Sequence, residues 1–224
     1  MKSKHALTLI ILDKSGSMDE IKTDTVGSVN TYIEQQKKLP GTCEFALVQF
    51  NSEVSDIKLQ DIQNVTPISN DDYIPSGLTA LNDAIGITVE NLGKILNERN
   101  ESERPELVTI CIITDGEENS SRKFKLNDVK EMVKHQTDAY KWNFLFLGAD
   151  IDSFANGSAR GISISNTSNY IKSPIGTKAA FAAASYATSC LRTGGDINDI
   201  NMSALYNSCL ETEDLKDQMA KRIS

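Results

Sequence analysis

The chain has 224 residues, of which 39% are hydrophobic and 24% are charged, a composition that can bury the core of one large domain. Its formal net charge of −8 argues against a nucleic-acid-binding surface, which needs clustered lysines and arginines. The cysteines are scattered, and the two histidines have no partner at metal-ligand spacing. These features argue against a disulfide framework, a zinc site and a histidine-dependent catalytic triad.

The first part of the chain alternates between strand-like and helix-like patterns. Residues 5–13 are almost continuously apolar, as expected of a strand that is buried on both faces, and a helical pattern follows from Ile21 to Gln36. Residues 43–51 and 53–60 are strand-like and have almost no connector between them. Because a parallel pair needs a long crossover, these two segments are predicted to form an antiparallel hairpin.

The same alternation continues to residue 191. Helices are predicted from Leu81 to Leu96 and from Leu126 to Tyr140, and strands over 106–115 and 142–150. A short helix near 152–159, a brief strand at 162–165 and an alanine-rich helix over 176–191 complete the series. The pattern predicts a three-layer α/β fold, with a mostly parallel central sheet, one antiparallel edge strand and helices on both faces.

The two ends of the chain carry separate expectations. Residues 192–224 are polar and are predicted to form a C-terminal appendage, partly helical or flexible, beyond a domain over 1–191. The N-terminal segment imitates a signal peptide, but it lacks a small-residue cleavage site, and its apolar run is explained by the first strand. No apolar run is long enough to span a membrane, so we expect a cytoplasmic protein.

Five oxygen-bearing side chains are expected at one edge of this sheet. Two predicted strands end in Asp13 and Asp115, and the carboxyl ends of parallel strands are where binding sites lie in such folds. Ser15 and Ser17 follow Asp13 at alternate positions, and Thr79 precedes a predicted helix. Hydroxyl and carboxylate oxygens suit Mg²⁺ or Mn²⁺, so the sequence predicts a site for one divalent cation.

Each of these residues also has a simpler explanation. Ser17 and Glu20 have the spacing of a helix capping box, and Thr79 has the position of a helix N-cap. Asp115 and Gly116 resemble a tight hairpin turn, although the residues after them show no strand alternation. Gly16 permits the tight backbone between the two serines. Asp13 is harder to explain, because a carboxylate at the end of a buried strand needs a counter-charge or hydrogen-bond donors.

Three segments in order, "DKSGSM", "SGLTALNDAI" and "ITDGEEN", resemble the metal-ion-dependent adhesion site of von Willebrand factor A domains. The resemblance covers residues 5–191 and implies a Rossmann-like fold of the stand-alone, intracellular microbial type. It implies that Ser15 and Ser17 bind the metal directly, that Thr79 does so when a ligand is engaged, and that Asp13 and Asp115 act directly or through water. Asp83 and Glu117 are further candidates beside the site.

The expected function is a non-enzymatic protein-binding module, whose bound cation captures an Asp or Glu of a partner protein. The alternative is a Mg²⁺-dependent hydrolase or phosphotransferase with Asp13 as its nucleophile. In integrin-type relatives the last helix of the domain slides when the site gains its ligand. The small side chains of 176–191 are compatible either with such sliding or with a close-packed, static helix.

Overall fold

The computed structural model describes residues 5–149 and 152–223, and these residues form an α/β fold. The strands are β1 (Ala6–Asp13), β2 (Cys43–Phe50), β3 (Gln60–Asp61), β4 (Leu107–Thr114), β5 (Asn143–Ala149) and β6 (Thr167–Tyr170). The helices are α1 (Lys22–Lys37), α2 (Leu81–Asn97), α3 (Leu126–Tyr140), α4 (Ser153–Ala159), α5 (Pro174–Arg192) and α6 (Met202–Ile223). Residues 150 and 151, at the end of the predicted strand 142–150, lie outside the described residues.

The strands form one sheet in the order β3-β2-β1-β4-β5-β6. Every neighbouring pair is parallel except β2 and β3, so β3 is the antiparallel edge strand. The chain builds outward from β1 on one side and from β4 on the other, which makes the boundary between β1 and β4 the topological switch point. The predicted fold class is confirmed.

The sheet is covered by helices on both faces, as the apolar character of β1 requires. All eight residues of β1 are buried, and successive side chains point to opposite sides of the sheet. Ile10 and Leu12 pack in a core with residues of α1, α5 and α6, whereas Leu9 and Ile11 pack with residues of α2 and α3. These two cores hold the carboxyl end of β1, where Asp13 lies, in a fixed position.

Two predicted strands differ from the structure. Only Gln60–Asp61 of the second hairpin strand pairs with β2, and an isolated bridge joins Phe50 to Val54, so the direction was right and the extent was wrong. The predicted strand at 162–165 is also wrong, because Ile164–Asn166 is a 3₁₀ helix and Thr167–Tyr170 is the strand. The prediction followed the apolar residues Ile162 and Ile164. The strand in the structure is polar, and it buries Thr167 and Ser168 beside β5.

The C-terminal segment packs against the rest of the fold. The alanine-rich helix is longer than predicted, and the segment after it contains α6, which contacts α5 and β6. Met202 and Tyr206 of α6 are buried, and the Tyr206 hydroxyl accepts a 2.9 Å hydrogen bond from the backbone N–H of Ile171. In the part of the chain that the structure describes, no helix is both long and apolar enough to cross a membrane.

Candidate metal site

Three loops meet at the carboxyl ends of β1 and β4. The first follows β1 at residues 14–21, the second precedes α2 at 76–80, and the third follows β4 at 115–125. The N–H of Gly16 donates to the carbonyl of Gly77 at 3.1 Å, which joins the first loop to the second. Asn119 joins the third to the second, because its N–H donates to the Thr79 carbonyl at 3.0 Å and its Oδ1 accepts from the Thr79 N–H at 2.9 Å.

Four of the five predicted ligands form one hydrogen-bonded chain. Asp13 Oδ1 accepts from the backbone N–H of Ser15 at 2.7 Å, and Ser15 Oγ lies 3.1 Å from Ser17 Oγ. Ser17 Oγ then donates to Asp115 Oδ1 at 2.7 Å. The other oxygen of Asp13 accepts from the Thr114 hydroxyl at 2.5 Å, a contact that no sequence pattern predicted.

Thr79, the fifth predicted residue, lies beside the same cluster. Its side chain is above the Asp115-Gly116 turn, since a Cβ atom added to Gly116 would be 3.0 Å from Thr79 Oγ1. The N-cap interpretation of Thr79 is wrong, because Ala80 occupies the N-cap of α2 and no side chain caps it. Thr79 is 3% exposed, and its hydroxyl makes no hydrogen bond among the described residues.

The simpler explanations for the first loop also fail. A 3₁₀ helix spans Gly16–Ile21, its N-cap is Ser15, and the Ser17 hydroxyl is bonded to Asp115 and not to a helix terminus. No side chain caps this helix, and the Glu20 carboxylate pairs with Lys172 at 3.4 Å, so no capping box forms. Gly16 does not have a positive φ, and a Cβ atom there would make an ordinary 3.5 Å contact, so the backbone does not require glycine.

The electrostatics of the cluster favour a bound cation. Burial raises the pKa of Asp13 to about 6, although hydrogen bonds from Thr114 and Ser15 oppose this rise, and the nearby charge of Asp115 adds to it. Asp115 Oδ2 is buried, and among the described residues it is paired only with the Lys172 ammonium, 3.0 Å away. Two buried carboxylates at one place with a single ammonium beside them are costly unless further positive charge compensates them.

These donors fit a hard divalent ion. Two carboxylates and three hydroxyls are the oxygen ligands that Mg²⁺ and Mn²⁺ accept, and Asp115 Oδ2 and the Thr79 hydroxyl still have lone pairs to offer. No group of three or more His, Cys, Asp or Glu with metal-binding geometry occurs among the described residues. The arrangement is therefore hydroxyl-rich, unlike a zinc site or an all-carboxylate calcium site.

For Asp83 and Glu117 the sequence left open a role beside the site or a solvated surface charge, and the structure places the two residues differently. Asp83 accepts hydrogen bonds from three backbone N–H groups of the third loop, those of Arg122, Lys123 and Phe124. Glu117 is exposed, and its neighbour Glu118 instead accepts from the backbone of Asn82, Ser120 and Ser121. Asp83 and Glu118 therefore hold the third loop against the start of α2.

Lys172 is a site neighbour that sequence reasoning missed. Its Nζ lies 3.0 Å from Asp115 Oδ2 and 3.4 Å from Glu20 Oε2. Although burial lowers the pKa of Lys172, the carboxylates of Asp115 and Glu20 outweigh it and raise that pKa, so the side chain is charged. No motif includes Lys172, because its position depends on β6 lying beside β5.

Solved structures with this architecture come from several organisms. Proximal thread matrix protein 1 from the mussel byssus is 16% identical and has a TM-score of 0.56, over 83% of this chain and 46% of that one. Pilus adhesin SpaC from Lactobacillus rhamnosus GG is 12% identical, with a TM-score of 0.63 over 84% and 31%. Manganese-loaded Plasmodium vivax TRAP protein is 15% identical, with a TM-score of 0.52 over 75% and 69%.

These similarities support the fold. This chain spans less than half of the length of the mussel and Lactobacillus proteins. No curated protein sequence matches the chain. The sequence profile of the von Willebrand factor type A domain matches residues 9–173, which include every predicted ligand and Lys172. Domains of this family are in general metal-dependent interaction modules and not enzymes. The chain therefore belongs to the von Willebrand factor type A domain family.

Proposed function

We propose that this chain is a metal-dependent protein-binding module. In this proposal Asp13, Ser15, Ser17, Thr79 and Asp115 hold one Mg²⁺ or Mn²⁺ ion. When bound, the ion supplies an electrophilic position for an Asp or Glu carboxylate of a partner protein. The observation that carries the proposal is the hydrogen-bonded chain from Asp13 to Asp115, which gathers two buried carboxylates and two serine hydroxyls with only one ammonium, that of Lys172, beside them.

The surrounding residues keep the proposed ligands in place. Thr114 and the Ser15 N–H fix the Asp13 carboxylate, and Ser17 fixes one oxygen of Asp115. Asn119 holds the backbone of Thr79 from both sides. The serine hydroxyls that bind the ion directly in this proposal are uncharged. Where Asp13 and Asp115 act through water, the ion keeps positive charge at its open position, which an acidic ligand from a partner can meet.

The alternative, a Mg²⁺-dependent hydrolase or phosphotransferase, needs an acid–base group or a phosphate clamp beside Asp13. Lys123 does not provide one, because its Nζ lies 2.8 Å from Glu90 on α2. The histidines are also engaged elsewhere, His5 with Glu44 at 2.9 Å and His135 against the ring of Tyr140. Lys172 does lie at the cluster, but Asp115 and Glu20 hold its ammonium. These contacts favour binding over catalysis.

The experiment that tests the proposal is titration calorimetry of Mg²⁺ and of Mn²⁺ into the wild-type chain and into Ser17→Ala. Ser17→Ala removes one proposed ligand and leaves Asp115 Oδ1 without its donor, so metal binding should be lost. Ser208→Ala, an exposed serine of α6, is the matched control and should bind as the wild type does. A pull-down in Mg²⁺ and in EDTA then identifies metal-dependent partners, whose captured Asp or Glu is found by Asn or Gln substitution.

If Ser17→Ala and the wild type bind metal equally well, Ser17 is not a ligand and the proposed role of the first loop is wrong. Partners that bind equally well in EDTA, or after all their surface acidic residues at the contact are neutralised, would contradict carboxylate capture.

A further inference from the structure

Lys172 bridges one buried and one exposed carboxylate at the edge of the cluster. The side chain of Asp115 is 0% exposed and that of Glu20 is 80% exposed, whereas Lys172 itself is 13% exposed. Lys172 lies between the end of β6 at Tyr170 and Ser173, the N-cap of α5. Its ammonium therefore stands between the interior of the cluster and solvent.

The ammonium faces the oxygen of Asp115 that Ser17 does not bind. Ser17 already occupies Asp115 Oδ1, and the 3.0 Å ion pair with Lys172 is at Oδ2. Among the described residues, no other lysine or arginine forms an ion pair with Asp13 or Asp115. The ammonium of Lys172 thus compensates one of the two negative charges of Asp13 and Asp115. A divalent ion would compensate both.

A divalent ion and this ammonium cannot share Asp115 without strong repulsion. Two like charges a few ångströms apart in a partly buried place repel strongly, because the screening by water is weak there. Glu20 offers the ammonium a second carboxylate, 3.4 Å away on the solvent side. A movement of the Lys172 side chain toward Glu20 would relieve the repulsion and leave the backbone of β6 and α5 unchanged.

We propose that Lys172 is a built-in competitor of the divalent metal, which occupies Asp115 until the ion displaces its ammonium toward Glu20. This inference rests on the proposed function of the same site. Lys172 then sets how much free Mg²⁺ or Mn²⁺ is needed before the module can capture a partner. It acts on the metal through Asp115, so it is a positioning residue.

The chain contains a comparable ion pair that lacks this geometry. Lys178 of α5 pairs with Asp24 of α1 at 3.2 Å, but Lys178 is 50% exposed and neither residue touches the cluster. Surface pairs of this kind contribute little to stability. Lys178→Met therefore removes the same charge from the same helix region without changing the site, and it is the matched control for Lys172→Met.

The test measures metal affinity and stability in the wild-type chain, Lys172→Met and Lys178→Met. Free Mn²⁺ is counted by electron paramagnetic resonance, Mg²⁺ is titrated in competition, and thermal unfolding is followed in EDTA. Lys172→Met should bind both metals about tenfold more tightly, the size of effect that one adjacent charge has on a carboxylate. It should also unfold at a lower temperature in EDTA, because Asp115 has then lost its compensating charge. Lys178→Met should change neither quantity.

Glu20→Gln refines the test through a double-mutant cycle. If Glu20 acts by receiving the ammonium, Glu20→Gln weakens metal binding in the wild-type chain and has no effect in Lys172→Met. An equal effect in both backgrounds means that Glu20 acts directly on the ion, and the displacement step is then wrong.

The outcomes separate this inference from the function on which it rests. Metal binding by the wild type with an affinity unchanged in Lys172→Met overturns the competition alone. If none of the variants binds metal, and Lys172→Met still loses stability in EDTA, Lys172 is a permanent counter-charge. Both the competition and the metal-dependent function are then rejected.

Discussion

Ser17 Oγ donates a 2.7 Å hydrogen bond to Asp115 Oδ1, and this contact joins residues that are 98 positions apart in the chain. It is possible because β1 and β4 are neighbours, with Leu12 opposite Ile113, so both strands deliver their last residues to the same edge. The serine that looked like a helix cap is therefore a bridge between two halves of the sheet. Predictions about the site follow from this connection.

Divalent metal should stabilise the fold. A ligand present at 100 times its dissociation constant, and bound only by the folded chain, adds about 2.7 kcal/mol to the free energy of unfolding. For a chain of this size that corresponds to a rise of about 5–10 °C in Tm. Scanning calorimetry with Mg²⁺ and with EDTA measures it. Asp13→Ala should abolish the rise and Asp56→Ala, which changes an exposed aspartate, should keep it. A Tm that is the same in millimolar Mg²⁺ and in EDTA would count against the site.

The stabilisation by metal should decrease as the pH falls from about 7 to about 5. Burial raises the pKa of Asp13 from 3.8 to about 6, so protons compete with the metal for this carboxylate in that range. Without metal the free energy of unfolding should change in the opposite direction. Because the pKa of Asp13 is raised in the folded chain, ionisation of this carboxylate lowers the stability of the folded chain as the pH rises through about 6. Unfolding of the wild type and Asp13→Asn across this pH range, with and without Mg²⁺, measures both effects. A metal-induced rise in Tm that is independent of pH would contradict the role of Asp13.

Gly116→Ala should weaken metal-dependent partner binding, whereas Gly16→Ala should not. A Cβ atom on Gly116 would be 3.0 Å from Thr79 Oγ1, closer than ordinary contacts, so it would displace the Thr79 hydroxyl. A Cβ atom on Gly16 would be 3.5 Å from the Gly77 carbonyl, which is an ordinary contact. Circular dichroism should show both variants folded. Unchanged partner capture by Gly116→Ala would mean that the position of Thr79 is unimportant.

Thr79→Ala should separate binding from folding. The Thr79 hydroxyl has no hydrogen bond among the described residues and is not the cap of α2, so its removal should change stability by less than about 1 kcal/mol. Partner binding in Mg²⁺ should nevertheless fall about tenfold or more, measured by surface plasmon resonance. Phosphatase and nucleotide-hydrolysis assays should stay at background for the wild type. Metal-dependent turnover that Asp13→Asn abolishes would instead establish the hydrolase alternative.

The helix α5 should stay in place when the site is occupied. Gln36 Nε2 donates to the backbone and the side chain of Ser185, Arg192 donates to the Gln36 carbonyl at 2.7 Å, and Tyr32 donates to Thr188 at 2.9 Å. Sliding would break these buried hydrogen bonds together, at a cost of about 1–3 kcal/mol for each group left without a partner. Amide-exchange protection over 174–192 should therefore be equal with and without Mg²⁺ and a bound partner. Faster exchange confined to this helix on binding would revive the sliding hypothesis.

The sequence predicted much of the fold because its signals are local. Continuous apolar runs identified β1 and β4, helical spacing identified α2 and α3, and the short connector after residue 51 predicted the antiparallel direction of β3. The five proposed ligands could be chosen in the same way, since four lie at the end of β1 or β4 or within four residues after it, and Thr79 lies two residues before α2. Their adjacency follows from the rule that parallel strands present their carboxyl ends at one edge.

Local signals failed where neighbours in space decide the conformation. The strand β6 is polar and short, and it forms because β5 offers it an unpaired edge, so the apolar residues just before it misled the prediction. For Asp83 the sequence left open a role beside the metal or a solvated surface charge. The structure shows that it accepts hydrogen bonds from backbone N–H groups of a loop 39 to 41 residues away, a contact that no local pattern predicts.

The sequence by itself determined the α/β architecture and the family, and it was enough to propose a set of oxygen donors, because these depend on periodicity and on residue order within single loops. Only the tertiary structure decided that Ser17 bonds to Asp115, that α5 is tied to α1, and that Lys172 reaches the second oxygen of Asp115. Each of these contacts joins elements distant in the chain, and their side chains meet only after the order of the strands has been set. The three sequence motifs therefore do not predict the charge of Lys172 at the site, although its Nζ lies 3.0 Å from Asp115.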